Sequence, residues 1–401
     1  MKICIKTRKN ISKIQDPVPQ FTWWLGIYFA CLVVGALAIG PFGSALRMIT
    51  FIPILIWVVK KHKIILSKGL VGALPFIFWC AFTILWSIDI GSSINRAISH
   101  IMFAAVLMAA SGYVYTEKEI SYLKKMLVWS SRITAIVTLS MGSYVSGRLW
   151  LSGVISEDPN YLCAYFIFGA VYCLSVVLSQ CNVKKKCMAI FELLVYIYII
   201  FATGSRGGLF AVSAALIVDL LTYGDEHSLK SAVYKRRLFA SLFIIVMVIF
   251  VTELLPQNIA SRFTLEAIRS SKGTGRFELW QDAFNAYENS NFLRKGVGYG
   301  TGTARLITYL FPFHRHNVFH NVFVENLLEI GIIGLCLYCL HIVTFVFMAL
   351  KHRDSFQFSV IMGLIVMSLS TSIYTFKPYW NIMIFILCCD LKDRKNFNLN
   401  K

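Results

Sequence analysis

The chain has 401 residues, 57% of them hydrophobic and 15% charged, with a formal net charge of +19. Soluble domains carry roughly 25% charged residues, so this composition excludes an ordinary soluble enzyme, and the placement of the cations argues against nucleic acid. Several apolar runs approach the ~20 residues needed to cross a bilayer, which predicts an all-α, polytopic integral membrane protein.

The N-terminal segment "MKICIKTRKNISK" is basic, like the start of a signal peptide. The apolar run that follows, "TWWLGIYFACLVVGALAIGPF", is too long for a signal core and more membrane comes after it, so it reads as an uncleaved first span. About twelve spans are predicted, near residues 22–42, 45–60, 70–88, 97–115, 126–145, 161–179, 187–203, 207–223, 237–255, 322–349, 356–374 and 378–390. Every second connection is basic: "KKHKIILSK", "TEKEISYLKK", "NVKKK", "YGDEHSLKSAVYKRR" and "KHRD", continued by the tail "LKDRKNFNLNK". This asymmetry puts both termini in the cytoplasm. It also accounts for much of the positive charge as cationic loops facing an anionic leaflet. The cysteines lie mostly within apolar runs and read as small buried hydrophobes; Cys336 and Cys339 form a CxxC, but inside a span.

The whole chain, 1–401, reads as one membrane domain, with residues 256–320 a long outside loop. Within it Arg262, Arg269, Lys272, Arg276, Arg294, Lys295, Arg305 and Arg315 outnumber the acids, which points to an anionic ligand or to a solvated face. The stretch "WQDAFNAYENS" reads as an amphipathic helix with Trp280, Phe284 and Tyr287 on one side, suited to a membrane surface.

Four motifs fall on the outside by this topology. "GRLWLSGVISEDPNYL" holds Arg148 and the turn residues Asp158, Pro159 and Asn160. "TGSRGGLF" places Arg206 at a tight reversal that opens a helix, a setting for an anion or for an interfacial arginine. "GTGRFELW" holds Arg276 and is followed by "GVGYGTG", which lacks the lysine and the βαβ setting of a nucleotide loop. "HRHNVFHNVFVENLLEIGIIG" brings three histidines into seven residues, with His316-Asn317 and His320-Asn321 four apart, on one face if helical. The absence of HExxH and of a clear third ligand weighs against zinc, and a histidine near its pKa suits general-base work. Arginines are permanently charged and bind phosphates in a bidentate manner, which suits a diphosphate.

Together these stretches resemble the bacterial O-antigen ligase and Wzy-type polysaccharide polymerase superfamily. The resemblance rests on Ser205-Arg206-Gly207, on Gly275-Arg276 with Trp280, and on His320-Asn321 through Glu329, Gly331 and Gly334; "DPNYL" is similar to a motif of the polymerases. It runs over roughly residues 147–340, with Phe323-Val324 where a leucine is usual and a second "HN" at 316.

The resemblance implies a GT-C-like, metal-independent, inverting glycosyltransferase of the bacterial inner membrane, acting at its periplasmic face without a cofactor. Arg206 and Arg276 would bind the diphosphate of an undecaprenyl-diphosphate-linked glycan, and His320 would be catalytic. Arg148, Asp158, Asn160, His316 and Asn321 would support them. The acceptor is a second lipid-linked glycan for a polymerase, the favoured reading, or lipid A-core for a ligase. Membrane lipids and a chain-length regulator protein are the other expected partners, with no nucleic acid. A lipid-linked oligosaccharide flippase is the alternative of another class, disfavoured because no internal repeat is found. Arg269 and Arg294 are expected to tolerate alanine better than Arg206 and Arg276.

Overall fold

The computed structural model describes residues 2–4, 19–31, 51–56, 63–151, 159–179, 181–222, 264, 266, 275–313, 318–352 and 354–392. Two short strands, β1 (Lys2–Cys4) and β2 (Lys63–Ile65), pair in parallel. The rest of the described chain is largely helical: α1 (Pro19–Ala30), α2 (Lys68–Phe82, prolonged by a 3-10 turn to Trp86), α3 (Ile90–Ser111) and α4 (Glu117–Met141). A hairpin of β3 (Ser143–Val145) and β4 (Arg148–Trp150) follows, then α5 (Pro159–Leu178), α6 (Val183–Ala202) and α7 (Arg206–Thr222). Next come α8 (Arg276–Asn289), α9 (Phe292–Val297), α10 (Ala304–Leu310), α11 (Val322–Glu329), α12 (Gly331–Lys351), α13 (Ser355–Ser368) and α14 (Lys377–Asp390).

Among the described residues, four helical stretches are long and apolar enough to cross a membrane: Lys68–Trp86, Ile90–Ser111, Pro159–Leu178 and Gly331–Lys351. Their exposed residues are greasy, with Val71, Phe78, Ile98, Ile101, Leu340 and Val343 all on the surface. A soluble protein would bury such side chains; lipid is their natural solvent. The helices pack side by side, α2 against α3 and α12, α5 against α6 and α7, and α7 against α13. Small residues allow close approach: a Cβ at Gly363 of α13 would lie 2.8 Å from that of Ala215 on α7. Fully buried Phe76 is surrounded by the rings of His100, Tyr338, His341, Tyr374 and Trp380, with centroids 5.2–6.5 Å away.

Charges within the helical region are spent on pairing helices. Arg132 of α4 donates two hydrogen bonds to Glu192 of α6, at 3.0 and 2.9 Å. Buried Asp219 of α7 accepts from Ser175 on α5 and Ser359 on α13, at 3.3 and 3.4 Å.

The structure redraws several predicted elements. The span expected at 97–115 begins earlier, because Asp89 caps α3 by accepting from Ser92 N at 3.0 Å. The run at 322–349 is two helices, broken at Ile330 and Gly331. Gly331 takes φ +70°, and its Cα faces the Gly296 carbonyl so closely that a Cβ would lie 2.2 Å from that oxygen. The span at 356–374 stops at Ser368, and residues 369–376 form a turn with a short 3-10 helix at Ile373–Thr375. The strands 143–145 and 148–150 replace the end of the span expected at 126–145. They are joined through Ser146 and Gly147, both at positive φ (51° and 72°), as a tight hairpin requires. The run expected at 237–255 lies outside the described residues.

The predicted amphipathic helix is present as α8, but with a different inner face. Leu279, Ala283 and Ala286 are buried, with Trp280 and Tyr287 packed beside them, whereas Phe284 and Phe277 are exposed. Its apolar inner side is occupied by protein, mainly Ala304 and Ile307 of α10 with Phe313, Phe319, Val324 and Leu328.

Candidate active site

Two of the predicted motifs meet directly. Arg148, on β4, donates from Nε to the Thr203 carbonyl at 2.8 Å and from Nη2 to Asn160 Oδ1 at 3.3 Å. The same Asn160 oxygen accepts from Ser205 Oγ at 2.8 Å, and Ser205 Oγ in turn accepts from Gly208 N at 3.1 Å, capping α7. Thus the hairpin, the start of α5 and the turn into α7 are knitted by one amide and one guanidinium. Gly204, at φ +61°, makes the reversal, and Arg206 is the first residue of α7, half-buried. The two glycines after it are there for room. A Cβ at Gly207 would meet Ser370 Oγ at 2.2 Å, and one at Gly208 would meet Cys163 Sγ at 2.4 Å.

A second group forms around α8 and α11. Trp280 Nε1 donates to the Phe319 carbonyl at 2.9 Å, which fixes the residue before His320 to the helix that Arg276 opens. Gly275 precedes Arg276 at φ +76°. His320 is half-buried and sits at φ +51°, a region that costs a residue with a side chain about 1–2 kcal/mol. It lies ahead of the helix, not on it, so the face it was expected to share with His316 does not exist at this residue. Asn321 is the N-cap of α11, its Oδ1 accepting from Phe323 N at 2.9 Å and Val324 N at 3.3 Å. Asp158 and His316 lie outside the described residues.

The turn at 369–376 joins the two groups. Ser370 packs on Gly207, Phe376 lies against Tyr161 and Tyr165 with centroids 5.3 and 5.1 Å apart, and Ser372 and Tyr374 bond to Glu325 and Glu329 of α11. A continuous chain of contacts therefore runs from Arg206 through this turn to α11, His320, Trp280 and the start of α8. Arg206 and Arg276 both open helices at this end of the molecule.

The buried acids were not foreseen as site residues. Glu325, Asn326 and Glu329 are all buried. Glu329 accepts from Gly302 N at 2.9 Å, from Ala304 N at 2.7 Å and from Tyr374 Oη at 2.9 Å. Arg96 of α3 lies within electrostatic reach of Tyr374, Glu329, Glu325 and Tyr161. A signal was available: two glutamates four apart inside an apolar run mark a polar face that lipid does not accept.

The glycine-rich stretch 296–302 has a structural use. Gly300 N donates to the Glu329 carbonyl at 2.7 Å, Thr301 N to Thr83 Oγ1 at 3.0 Å, and Trp86 Nε1 to the Val297 carbonyl at 3.2 Å. Its positive-φ glycines let the backbone run between α2, α3 and α11; a Cβ at Gly298 would lie 2.3 Å from the Glu329 carbonyl oxygen. Arg294, expected to tolerate alanine better than Arg206 and Arg276, donates to the Trp86 carbonyl at 2.9 Å and the Gly298 carbonyl at 3.1 Å and lies 5.1 Å from the Tyr299 ring centre. It pins the loop to the end of α2.

Residues 191–339 match the family model described as O-antigen ligase. That stretch is therefore similar to the O-antigen ligase family and agrees with the superfamily that the motifs resemble. Together with the apolar helices among the described residues, the similarity supports a multi-pass membrane protein. The matched stretch includes Arg206, Arg276, His320, Glu325 and Glu329; Arg96, Arg148, Asn160 and the 369–376 turn fall outside it and are brought in by the fold alone. A solved chain described as "Structural coordination of polymerization and crosslinking by a peptidoglycan synthase complex" is similar at 13% identity with a TM-score of 0.46, over 81% of this chain and 97% of that one. No curated protein matches the sequence.

Proposed function

We propose that the protein is a glycosyltransferase of the inner membrane that moves a glycan from undecaprenyl diphosphate to an acceptor hydroxyl at the periplasmic face. The acceptor oxygen forms a bond to the anomeric carbon as the bond from that carbon to the diphosphate oxygen breaks. The hydroxyl proton passes to His320, and the electron pair leaves with the diphosphate. Arg206 and Arg276 hold that diphosphate, where fixed cations stabilise the growing negative charge without reorganising. Asn160 and Arg148 shape the turn that presents Arg206, and Asn321 shapes the helix behind His320. No step requires a metal or cofactor, because the donor bond supplies the energy.

The observation that carries this reading is the joining of the motif holding Arg148 and Asn160 to the Ser205-Arg206 motif by direct hydrogen bonds, at the end of the molecule where Trp280 also fixes the His320 segment. A polymerase, adding the glycan to a second lipid-linked repeat unit, is the reading favoured by "DPNYL". A ligase, transferring it to lipid A-core, is favoured by the description of the matching family. Deletion followed by glycan analysis tests both. Loss of long chains with one repeat unit left on the core fits the polymerase. Loss of all glycan from the core, with polymer retained on the lipid, fits the ligase. Unchanged surface glycan refutes both.

A further inference from the structure

The hydrogen bonds around Tyr374 leave two buried carboxylates with unequal needs. All three partners of Glu329 are donors: Gly302 N and Tyr374 Oη to one oxygen, Ala304 N to the other. A backbone N–H cannot accept, so a protonated Glu329 would have to give up one of these bonds. The Tyr374 hydroxyl has one hydrogen, and at 2.9 Å it is directed to Glu329. Glu325 Oε1 lies 3.4 Å from the same hydroxyl oxygen, whose remaining capacity is as an acceptor. The other Glu325 oxygen is met by the Ser372 hydroxyl. Glu325 therefore completes the network as a donor to Tyr374.

Charge balance leads to the same assignment. The charged or titratable groups facing the pair are Arg96 of α3, Tyr374 of the turn, Tyr161 of α5 and Cys80 of α2. Among these described residues Arg96 is the cation. Two buried carboxylates four residues apart on one helix repel each other when both are ionised, and one proton relieves that repulsion.

We propose that Glu325 is held as a neutral carboxylic acid beside an ionised Glu329, the two sharing the Tyr374 hydroxyl, and that this one-proton pair positions the His320 helix against the turn that packs on Gly207 beside Arg206. Glu325 and Glu329 act through their neighbours and are positioning residues. The assignment of the proton rests on the geometry and charge of the pair and stands apart from the glycan-transfer reading.

The test uses the whole protein in detergent, so transfer activity is not needed. In Glu325→Gln a neutral amide replaces a neutral acid, with an N–H to offer Tyr374. The variant should unfold at the temperature of the unmodified protein. In Glu329→Gln the amide nitrogen confronts a backbone N–H, and the variant should unfold at a lower temperature. Infrared difference spectra on raising the pH should show a carboxylic C=O band that ionises in the unmodified protein, is absent from Glu325→Gln and persists in Glu329→Gln. The reverse ranking of the two variants, a failure of Glu325→Gln to assemble, or a band that survives in Glu325→Gln would overturn the proposal. Transfer assays on the unmodified protein answer the separate question of function: no transfer there, with the two variants correctly ranked, leaves the proton assignment standing and removes the glycan reading.

Discussion

At the end of the bundle away from Arg206, the helices are closed by ordinary caps. Thr116 and Glu119 form a reciprocal capping box at the start of α4, Asn182 caps α6, and Asp354 caps α13. Lys392 pairs with Glu117, and His352 with Asp390. Lys184 and Lys185 are exposed. At the site end, Gly204, Gly275 and Gly331 take left-handed conformation at or beside helix starts, His320 is bent into the same region, and the buried carboxylates Glu325 and Glu329 lie within electrostatic reach of half-buried Arg96. One end closes its helices with local side-chain caps and adds a few ion pairs. The other holds polar groups and strained backbone in place through contacts between residues tens to hundreds of positions apart. Such strain persists only where surrounding structure over-determines it, and it is concentrated where a ligand must be met.

The comparison predicts where substitutions abolish transfer, and here the largest effects are expected. His320→Ala should lower the rate by about 10²–10⁴-fold, measured on purified protein with a lipid-linked donor, while insertion stays normal. Arg206→Ala and Arg276→Ala should leave almost no transfer. Arg206→Lys should keep part of it, since lysine retains the charge but not the planar fork. If alanine at both arginines leaves product length and amount unchanged, the site end has no claim to the chemistry and the two ends differ in architecture only.

The next effect concerns folding. Gly331→Ala puts a Cβ 2.2 Å from the Gly296 carbonyl oxygen at a φ of +70°. Strain and collision together should cost more than about 3 kcal/mol, seen as loss of heat-resistant protein in detergent. Tolerance of alanine would mean that the break between α11 and α12 is not fixed by backbone packing.

Arg294→Ala should have an intermediate effect. It leaves the Trp86 and Gly298 carbonyls without this donor, a cost of about 1–3 kcal/mol, while transfer per folded molecule changes little. Loss of transfer with unchanged stability would move Arg294 from the scaffold into the site.

How much of this was readable in the sequence follows the same division. The runs at 70–88, 161–179, 187–203, 207–223 and 378–390 correspond closely to helices, because hydropathy is local and survives any tertiary arrangement. Arg206, Arg276, His320 and Asn160 could be singled out because short motifs surround them. The β3–β4 hairpin, the 369–376 turn and the Arg96 cluster could not. Ser146-Gly147 is a weak turn signal inside an apolar stretch. Ser372 and Tyr374 look like the end of a span until Glu325 and Glu329 supply a reason to stop. Arg96 lies just ahead of the run predicted to begin at 97. The break at Gly331 was hidden because its cause, the Gly296 carbonyl, is distant in sequence. The face of α8 was misjudged because its inner side is lined by alanines, whose small size escapes a search for aromatic stripes.

The smallest effect belongs to the opposite end and sharpens the comparison most directly. Thr116 N donates to Glu119 Oε2 at 2.9 Å, and Glu119 N donates back to Thr116 Oγ1 at 3.3 Å. Glu119 Oε1 also accepts from Tyr113 at 2.6 Å and from Thr22 of α1 at 2.7 Å. Burial works to raise the Glu119 pKa, but these hydrogen bonds outweigh it and hold the carboxyl below its ordinary value of 4.5. A depressed carboxyl contributes stability above the unfolded pKa and loses it as the pH falls through the folded one. Thr116→Ala should therefore destabilise by about 1 kcal/mol at neutral pH. Glu119→Gln should also destabilise there, with the difference from the unmodified protein closing as the pH is taken below 4.5. Thermal melts across that range measure both. Neither change touches the Arg206 or His320 segments, so transfer per folded molecule should be unaltered. If Thr116→Ala lowers that rate as well, the two ends are mechanically coupled through α4 and the hairpin that follows it, and Arg148 on β4 is the residue through which the coupling would reach the site.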